Sequence, residues 1–255
     1  MRLAVTTSLH RDASEAAGRA AAARHALPFA PRRSTLAATA AEARADALLV
    51  LSPRRATLWL DGAEQRWDPG MGVLRAKRLR DGEVTTRDGF LDAAGILPGE
   101  AVLDCTFGLG ADALVAAEAA GPSGRVLGLE SSPALAALAA EGLARLADPA
   151  ARRIEVRHAD AATWLAAAPA RSFDLVVFDP MFREARAEPP GFDLVRRLGD
   201  PSPLSPETLA HARRVARRAV LVKDGAPGRD LERLGLAPIL PARGAQRVYA
   251  RVSAD

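Results

Sequence analysis

The 255-residue chain holds a single cysteine, Cys105, which excludes an intrachain disulfide and any cysteine-built metal cluster. Its four histidines, His10, His25, His158 and His211, have no metal-ligand spacing, and no His-x-x-x-His or Cys-x-x-Cys occurs. No metal is expected. Aromatics make up only 4% of the chain, so Leu, Val and Ala must build most of the core. No stretch offers the roughly 18 uninterrupted apolar residues of a membrane span. Residues 1–8 lack the basic-then-apolar pattern of a signal peptide. The expectation is a soluble, cytoplasmic protein.

Hydrophobic residues reach 49%, enough to bury a full core, and the length allows one large α/β domain plus a smaller element. Net charge is +4. That small basic excess fits an anionic partner such as RNA, and fits an Arg-rich composition equally well.

Residues 2–6 read as a short strand, and 13–25 and 35–45 as helices. An apolar strand at 47–51, the turn Pro53-Arg54-Arg55 and a second strand at 56–60 ending in Asp61-Gly62 make a hairpin. Residues 1–85 are therefore expected to form a small α+β element around that hairpin, and 86–255 the main domain. The run R-A-K-R-L-R carries Arg75 and Lys77; it is either a solvated helix face or a phosphate-contacting patch. A helix over 86–94 should close at Gly95.

From residue 101 the rhythm alternates. Strands are expected at 101–105, 125–130, 153–157, 173–178 and 219–223, with helices at 111–120, 133–146, 160–167 and 205–218. Segments 236–240 and 247–252 follow without a helix between them, which predicts an antiparallel hairpin. The layout is that of an α/β, Rossmann-like class I methyltransferase fold: a mostly parallel seven-stranded sheet with helices on both faces. Arg213, Arg214, Arg217 and Arg218 read as the solvated face of its last long helix.

The segment leaving the first of these strands is D-C-T-F-G-L-G-A-D-A. Gly108 and Gly110 permit positive φ and close ligand approach, and the next helix offers free N–H groups. With Ala113 and Glu130 they also satisfy a dinucleotide fingerprint, so a nicotinamide-dependent oxidoreductase is the competing class. Asp104 argues against it. A carboxylate at that strand end suits a cation such as S-adenosylmethionine and opposes a pyrophosphate. Glu130 ends the second strand, where it can accept from ribose hydroxyls. Asp160 follows the third, as an adenine-amino acceptor, a helix cap, or both. Cys105 is expected to pack, as is His158 at its strand end.

The strand over 173–178 runs into Asp179-Pro180-Met181-Phe182. An Asp-Pro turn there sets a carboxylate beside a backbone carbonyl, two acceptors for the N–H groups of an exocyclic amine. Phe182 would stack on a base, and a paired base would first have to flip out. Lys223, ending the fifth strand, either contacts substrate phosphate or is solvated.

V-L-D-C-T-F-G-L-G-A-D-A, G-L-E-S-S-P, H-A-D-A and F-D-P-M-F together resemble the ribosomal RNA small subunit methyltransferase J family. V-T-T-S, M-G-V-L-R-A-K-R-L and D-P-M-F-R are closer still to a set of uncharacterised bacterial methyltransferase relatives. The resemblance implies guanine-N2 methylation of small-subunit rRNA with S-adenosylmethionine. It places cofactor contacts at Ala111, Asp112, Glu130, Ser131, Asp160, Ala161 and Asp179. The family has Arg at the positions of Ala111 and Ser131 and a Ser pair at Asp160-Ala161. A third possibility is a non-catalytic RNA-binding protein that keeps the fold.

Overall fold

A computed structural model describes residues 1–8, 12–83, 88–180, 192–239 and 246–255. The N-terminal part runs β1 (Leu3–Thr7), α1 (Asp12–Arg24), α2 (Leu36–Glu42), β2 (Ala47–Leu51), β3 (Ala56–Leu60) and β4 (Ala63–Arg66). Its sheet has the order β1-β2-β3-β4, parallel between β1 and β2 and antiparallel beyond. Every residue of β1 and β2 is buried, while β3 alternates buried and half-buried positions, as its pattern A-T-L-W-L dictates. The predicted hairpin is present. β4 was not foreseen: A-E-Q-R has no apolar alternation and is paired along one edge only.

Next come α3 (Gly72–Arg80), which carries the basic run, and α4 (Gly89–Ala94). Asp88 caps α4 by accepting from the backbone N–H of Phe90 and Leu91, and Gly95 closes it in a left-handed conformation. The alternating region follows: β5 (Ala101–Asp104), α5 (Ala111–Ala120), β6 (Arg125–Glu130), α6 (Pro133–Ala144), β7 (Ile154–His158), α7 (Ala161–Ala167) and β8 (Phe173–Phe178). The chain ends with α8 (Phe192–Leu198), α9 (Pro206–Val215), β9 (Ala216–Gly225), α10 (Arg229–Arg233) and β10 (Arg247–Ser253). Ser132-Pro133 and Ser205-Pro206 start α6 and α9, each serine accepting from a first-turn N–H and each proline at the start of the first turn.

The second sheet has the order β10-β9-β8-β5-β6-β7, parallel except for β10 against β9. The expected mixed α/β sheet is thus present, with six strands among the described residues. The segment expected as a seventh strand contributes a single antiparallel bridge, Ile239 to Tyr249, and continues into 240–245, outside the described residues. One apolar layer joins α5 and α6 to the N-terminal sheet through residues such as Leu114, Leu135, Leu49 and Leu58; a second lies under α7 and α9 on the opposite face. The helix expected over 205–218 stops at Val215, because β9 begins at Ala216. Arg217 and Arg218 therefore sit on a strand, where Arg218 pairs with Glu100, and Arg214 donates to the carbonyls of Leu165 and Ala168. They are not one solvated face.

Candidate active site

Strand order reverses between β5 and β8: from β5 the sheet continues outward through β6 and β7, and from β8 through β9 and β10. In an open parallel sheet ligands bind beyond the carboxyl ends of the strands at such a switch point. A cavity of about 910 Å³ lies there, bounded below by the loop leaving β5 and above by α3 and α4.

The glycine loop forms its floor. Gly108 and Gly110 have φ of +56° and +81°, and Gly110 precedes the first turn of α5, so the helix N-terminus faces the cavity. The loop is braced from both sides. Glu130 accepts from the Gly108 N–H at 2.9 Å and the Ser132 N–H at 2.8 Å. Trp67, from the N-terminal part, donates its indole N–H to the Leu109 carbonyl at 3.2 Å. Under the loop the Phe107 ring lies so close to β6 that a Cβ on Gly128 would come within 1.9 Å of it. The ring and the strand can share that space only because residue 128 has no side chain.

The cavity wall carries a chain of charges. Arg75 on α3 binds Asp88 through two nitrogens, at 2.7 and 2.9 Å, and Asp112 at 2.6 Å. Asp112, in the first turn of α5, also receives Lys223 Nζ at 2.8 Å. Lys223 in turn reaches Asp179 at 2.5 Å. Burial works against the charge of Asp112, but Lys223 and Arg75 overcome it and hold the carboxyl down to about 2. Burial likewise works against the Lys223 ammonium; Asp179 and Asp112 more than offset it, and its pKa lies above the ordinary lysine value. The balance differs at Asp179, where burial and the nearby Asp112 raise the pKa against the pull of Lys223.

Asp104 ends β5 beneath this chain. Burial drives its pKa up to about 7; Asp112 and Asp179 add to the rise, while the Thr106 N–H at 3.1 Å and Lys223 oppose it. Thr106 also accepts from the Asp179 backbone N–H at 2.6 Å, which ties the exit of β8 to the exit of β5. Seven carboxylates, Asp68, Glu83, Asp88, Asp92, Asp104, Asp112 and Asp179, thus line one cavity with four cations, Arg75, Arg78, Lys223 and Arg247. Such a surplus favours a cationic ligand.

The structure brings Asp104, Gly108, Gly110, Ala111, Asp112, Asp179 and Pro180 onto this wall. Glu130 reaches the site through Gly108, whereas Ser131, Asp160 and Ala161 lie toward the β6–β7 side and do not line the cavity. Asp160 caps α7, accepting from the Thr163 N–H at 2.8 Å; hydrogen bonds from the Thr163 side chain and then its N–H hold the Asp160 pKa low. Arg75 and Lys223 line the wall but are engaged by carboxylates; Lys77 is exposed on α3 and off the wall. Phe182 lies outside the described residues. Cys105 is buried, its thiol pKa pushed up by burial. His158, expected to pack, is exposed at the end of edge strand β7 and contacts the Ser131 carbonyl.

Three wall residues escaped the sequence reading. Thr106 lies two residues after Asp104, and Asp88 fell inside the helix expected over 86–94. Tyr249, the single tyrosine of the chain, pairs with Lys223 across β9 and β10, and burial pushes its hydroxyl up to about 12. Among the described residues no group of His, Cys, Asp and Glu is arranged to hold a metal ion, and no helix is long and apolar enough to cross a membrane.

A family model described as "Putative SAM-dependent methyltransferase" matches residues 73–234. Protein YpiP of Bacillus subtilis is 37% identical over 162 residues, covering 61% of this chain and 62% of that one. Ribosomal RNA small subunit methyltransferase J of Laribacter hongkongensis is 42% identical over 133 residues, covering 48% of this chain and 45% of that one. The chain therefore spans less than two thirds of the length of either curated relative. A SAM-dependent methyltransferase structure from Neisseria gonorrhoeae superposes with a TM-score of 0.64 at 23% identity, covering 98% of this chain and 95% of that one. At that identity the likeness concerns the fold.

Proposed function

From the membership of this chain in the SAM-dependent methyltransferase family, we propose that it methylates an exocyclic amino group of a nucleic-acid base, guanine N2 of small-subunit rRNA. The observation that carries this reading is the position of Asp179-Pro180. The pair leaves β8 at the switch point and lines the cavity, with the Asp179 N–H anchored on Thr106 at 2.6 Å. A side-chain carboxylate and the neighbouring backbone carbonyl can each accept one N–H of an amine. That turns the nitrogen lone pair toward the methyl donor, a contribution of position rather than of strong base chemistry. The name of the Laribacter relative supports the choice of rRNA.

S-adenosylmethionine supplies an electrophilic methyl group on a sulfonium. The residues of this chain fit it: an acidic wall suits its positive charges, and a glycine loop with a helix N-terminus lets it approach the backbone. In this reading Asp104, Gly108, Gly110, Ala111 and Asp112 hold its amino-acid end, with Glu130, Ser131, Asp160 and Ala161 toward its nucleoside. The amine nitrogen held by Asp179 and the neighbouring carbonyl would take that methyl, leaving the bond's electron pair on the donor's sulfur. The surplus N–H proton then leaves to water. The same surplus of carboxylates opposes a dinucleotide pyrophosphate and disfavours an oxidoreductase.

The test is tritiated methyl transfer from S-adenosylmethionine to small ribosomal subunits and rRNA from a strain lacking the gene, followed by nucleoside analysis. N2-methylguanosine is the expected product. Absence of label with cofactor binding intact would remove the rRNA assignment. Asp179→Ala is expected to lower turnover by roughly 100-fold or more, while cofactor binding is partly kept. Wild-type turnover in that variant would overturn the role given to Asp179.

A further inference from the structure

Lys223 touches the carboxylates on both sides of the switch point. Its Nζ lies 2.8 Å from Asp112, at the start of the helix after β5, and 2.5 Å from Asp179, at the exit of β8. It projects from β9, and its side chain is only 11% exposed. An ammonium so placed is costly to desolvate, and removing it alone leaves its buried carboxylate partners uncompensated, which is destabilising. Both carboxylates already compete for its protons, which leaves little of it for a substrate phosphate. Tyr249 stands opposite it on β10, and Arg75 takes the far side of Asp112.

We propose that Lys223 is a positioning residue for methyl transfer, bridging Asp112 to Asp179 and holding the Asp179 carboxylate ionised and aimed for the acceptor amine. The proposal rests on the reading of Asp179 given above. Without the bridge, Asp179 would face the carboxylates of Asp112 from α5 and Asp104 from β5. Arg247 and Tyr249 on β10 would remain, with Arg75 engaged by Asp88 and Asp112. Two effects follow. The carboxylate would hold its proton to higher pH, since burial and Asp112 already raise its pKa and Lys223 is the leading opposing influence. It would also be free to swing away from the acceptor position.

The first measurement needs no acceptor: carboxyl ¹³C NMR titration of the full-length protein, with the Asp179 resonance assigned by its loss in Asp179→Asn. Lys223→Met is expected to move the Asp179 titration to higher pH, and Lys223→Arg to return it. The second is methyl transfer to small ribosomal subunits. Lys223→Met should lower kcat roughly ten- to a hundred-fold at neutral pH with little change in KM for the subunits, and shift the acid limb of kcat upward. Lys223→Arg should recover most of kcat. If Lys223→Met does not fold, Lys223→Gln, which loses the charge and keeps a hydrogen-bond donor, takes its place in the titration. An unmoved Asp179 titration in whichever variant folds would overturn the proposal. So would an effect confined to KM, which would make Lys223 a substrate contact. Wild-type turnover in Asp179→Asn would instead remove the underlying reading of Asp179, a result distinct from failure of Lys223 alone.

Discussion

At the edge of the N-terminal sheet, Arg2 and Asp46 form an ion pair with side chains 70% and 45% exposed. At the rim of the six-stranded sheet Lys223 and Asp112 form one of similar length with both side chains about a tenth exposed. Water screens the first pair, so it contributes little and could drift in sequence without consequence. The second has given up its hydration, and a group held there must be matched by its neighbours or change its protonation. Between the two stands Glu141 on α6, buried, accepting from Arg24 at the end of α1, from His25 just after it and from Arg145, and thereby fastening the N-terminal part to the larger sheet. The same chemistry thus does three things: almost nothing at the surface, cohesion at the junction, and tuned protonation around the cavity.

The comparison can be broken in order of expected effect. Burial opposes the charge of Glu141, but its three partners hold its pKa down to about 2 from the ordinary 4.5. That depression corresponds to about 3 kcal/mol of stability, present above pH 4.5 and lost as pH falls toward 2. Urea unfolding of Glu141→Gln at pH 7 should reveal a loss of that order, with the gap from wild type narrowing as the pH is lowered through that window. An equal gap at all pH values would show that the junction depends on shape rather than on charge. For Asp104, raised by burial to about 7, a bound cation must expel the proton. S-adenosylmethionine affinity, read by calorimetry, should fall about tenfold per pH unit below 7 and be flat over that range in Asp104→Asn. An acid with a raised pKa loses stability as pH climbs from 3.8 to 7, so this variant without cofactor should also melt higher than wild type at pH 8. The smallest effect belongs to Arg2→Ala, whose melting temperature should match wild type within measurement scatter. A clear drop there would undo the contrast.

Periodicity was a good guide where the chain obeys a local rule. Strands at Arg125–Glu130 and Phe173–Phe178 and the helix at Ala111–Ala120 lie where apolar runs and glycine punctuation put them. Short elements with mixed faces, β4, α8 and α10, left no such trace. The motif residues around Asp104, Gly108 and Asp179 were legible because they lie at a strand end or in the loop that leaves it. The ionic wall was not. Lys223 lies 111 residues from Asp112 and 44 from Asp179, and Arg75 lies 37 from Asp112. No local pattern announces such partners; sheet order alone brings them together. For that reason Arg75 and Lys223 read as free cations in the sequence, and Tyr249, outside every motif, did not register.

Trp67 occupies a space that a Cβ on Gly142 of α6 would invade to 2.1 Å, and its indole N–H is bonded to the backbone of the glycine loop. This makes it a built-in optical gauge. Of the three tryptophans it is the one hydrogen-bonded to the floor of the cavity, while Trp59 packs in the N-terminal sheet and Trp164 against Phe173. Any ligand that shifts the Leu109 carbonyl alters the polarity around a single indole, so occupancy can be followed by emission wavelength in the unlabelled protein.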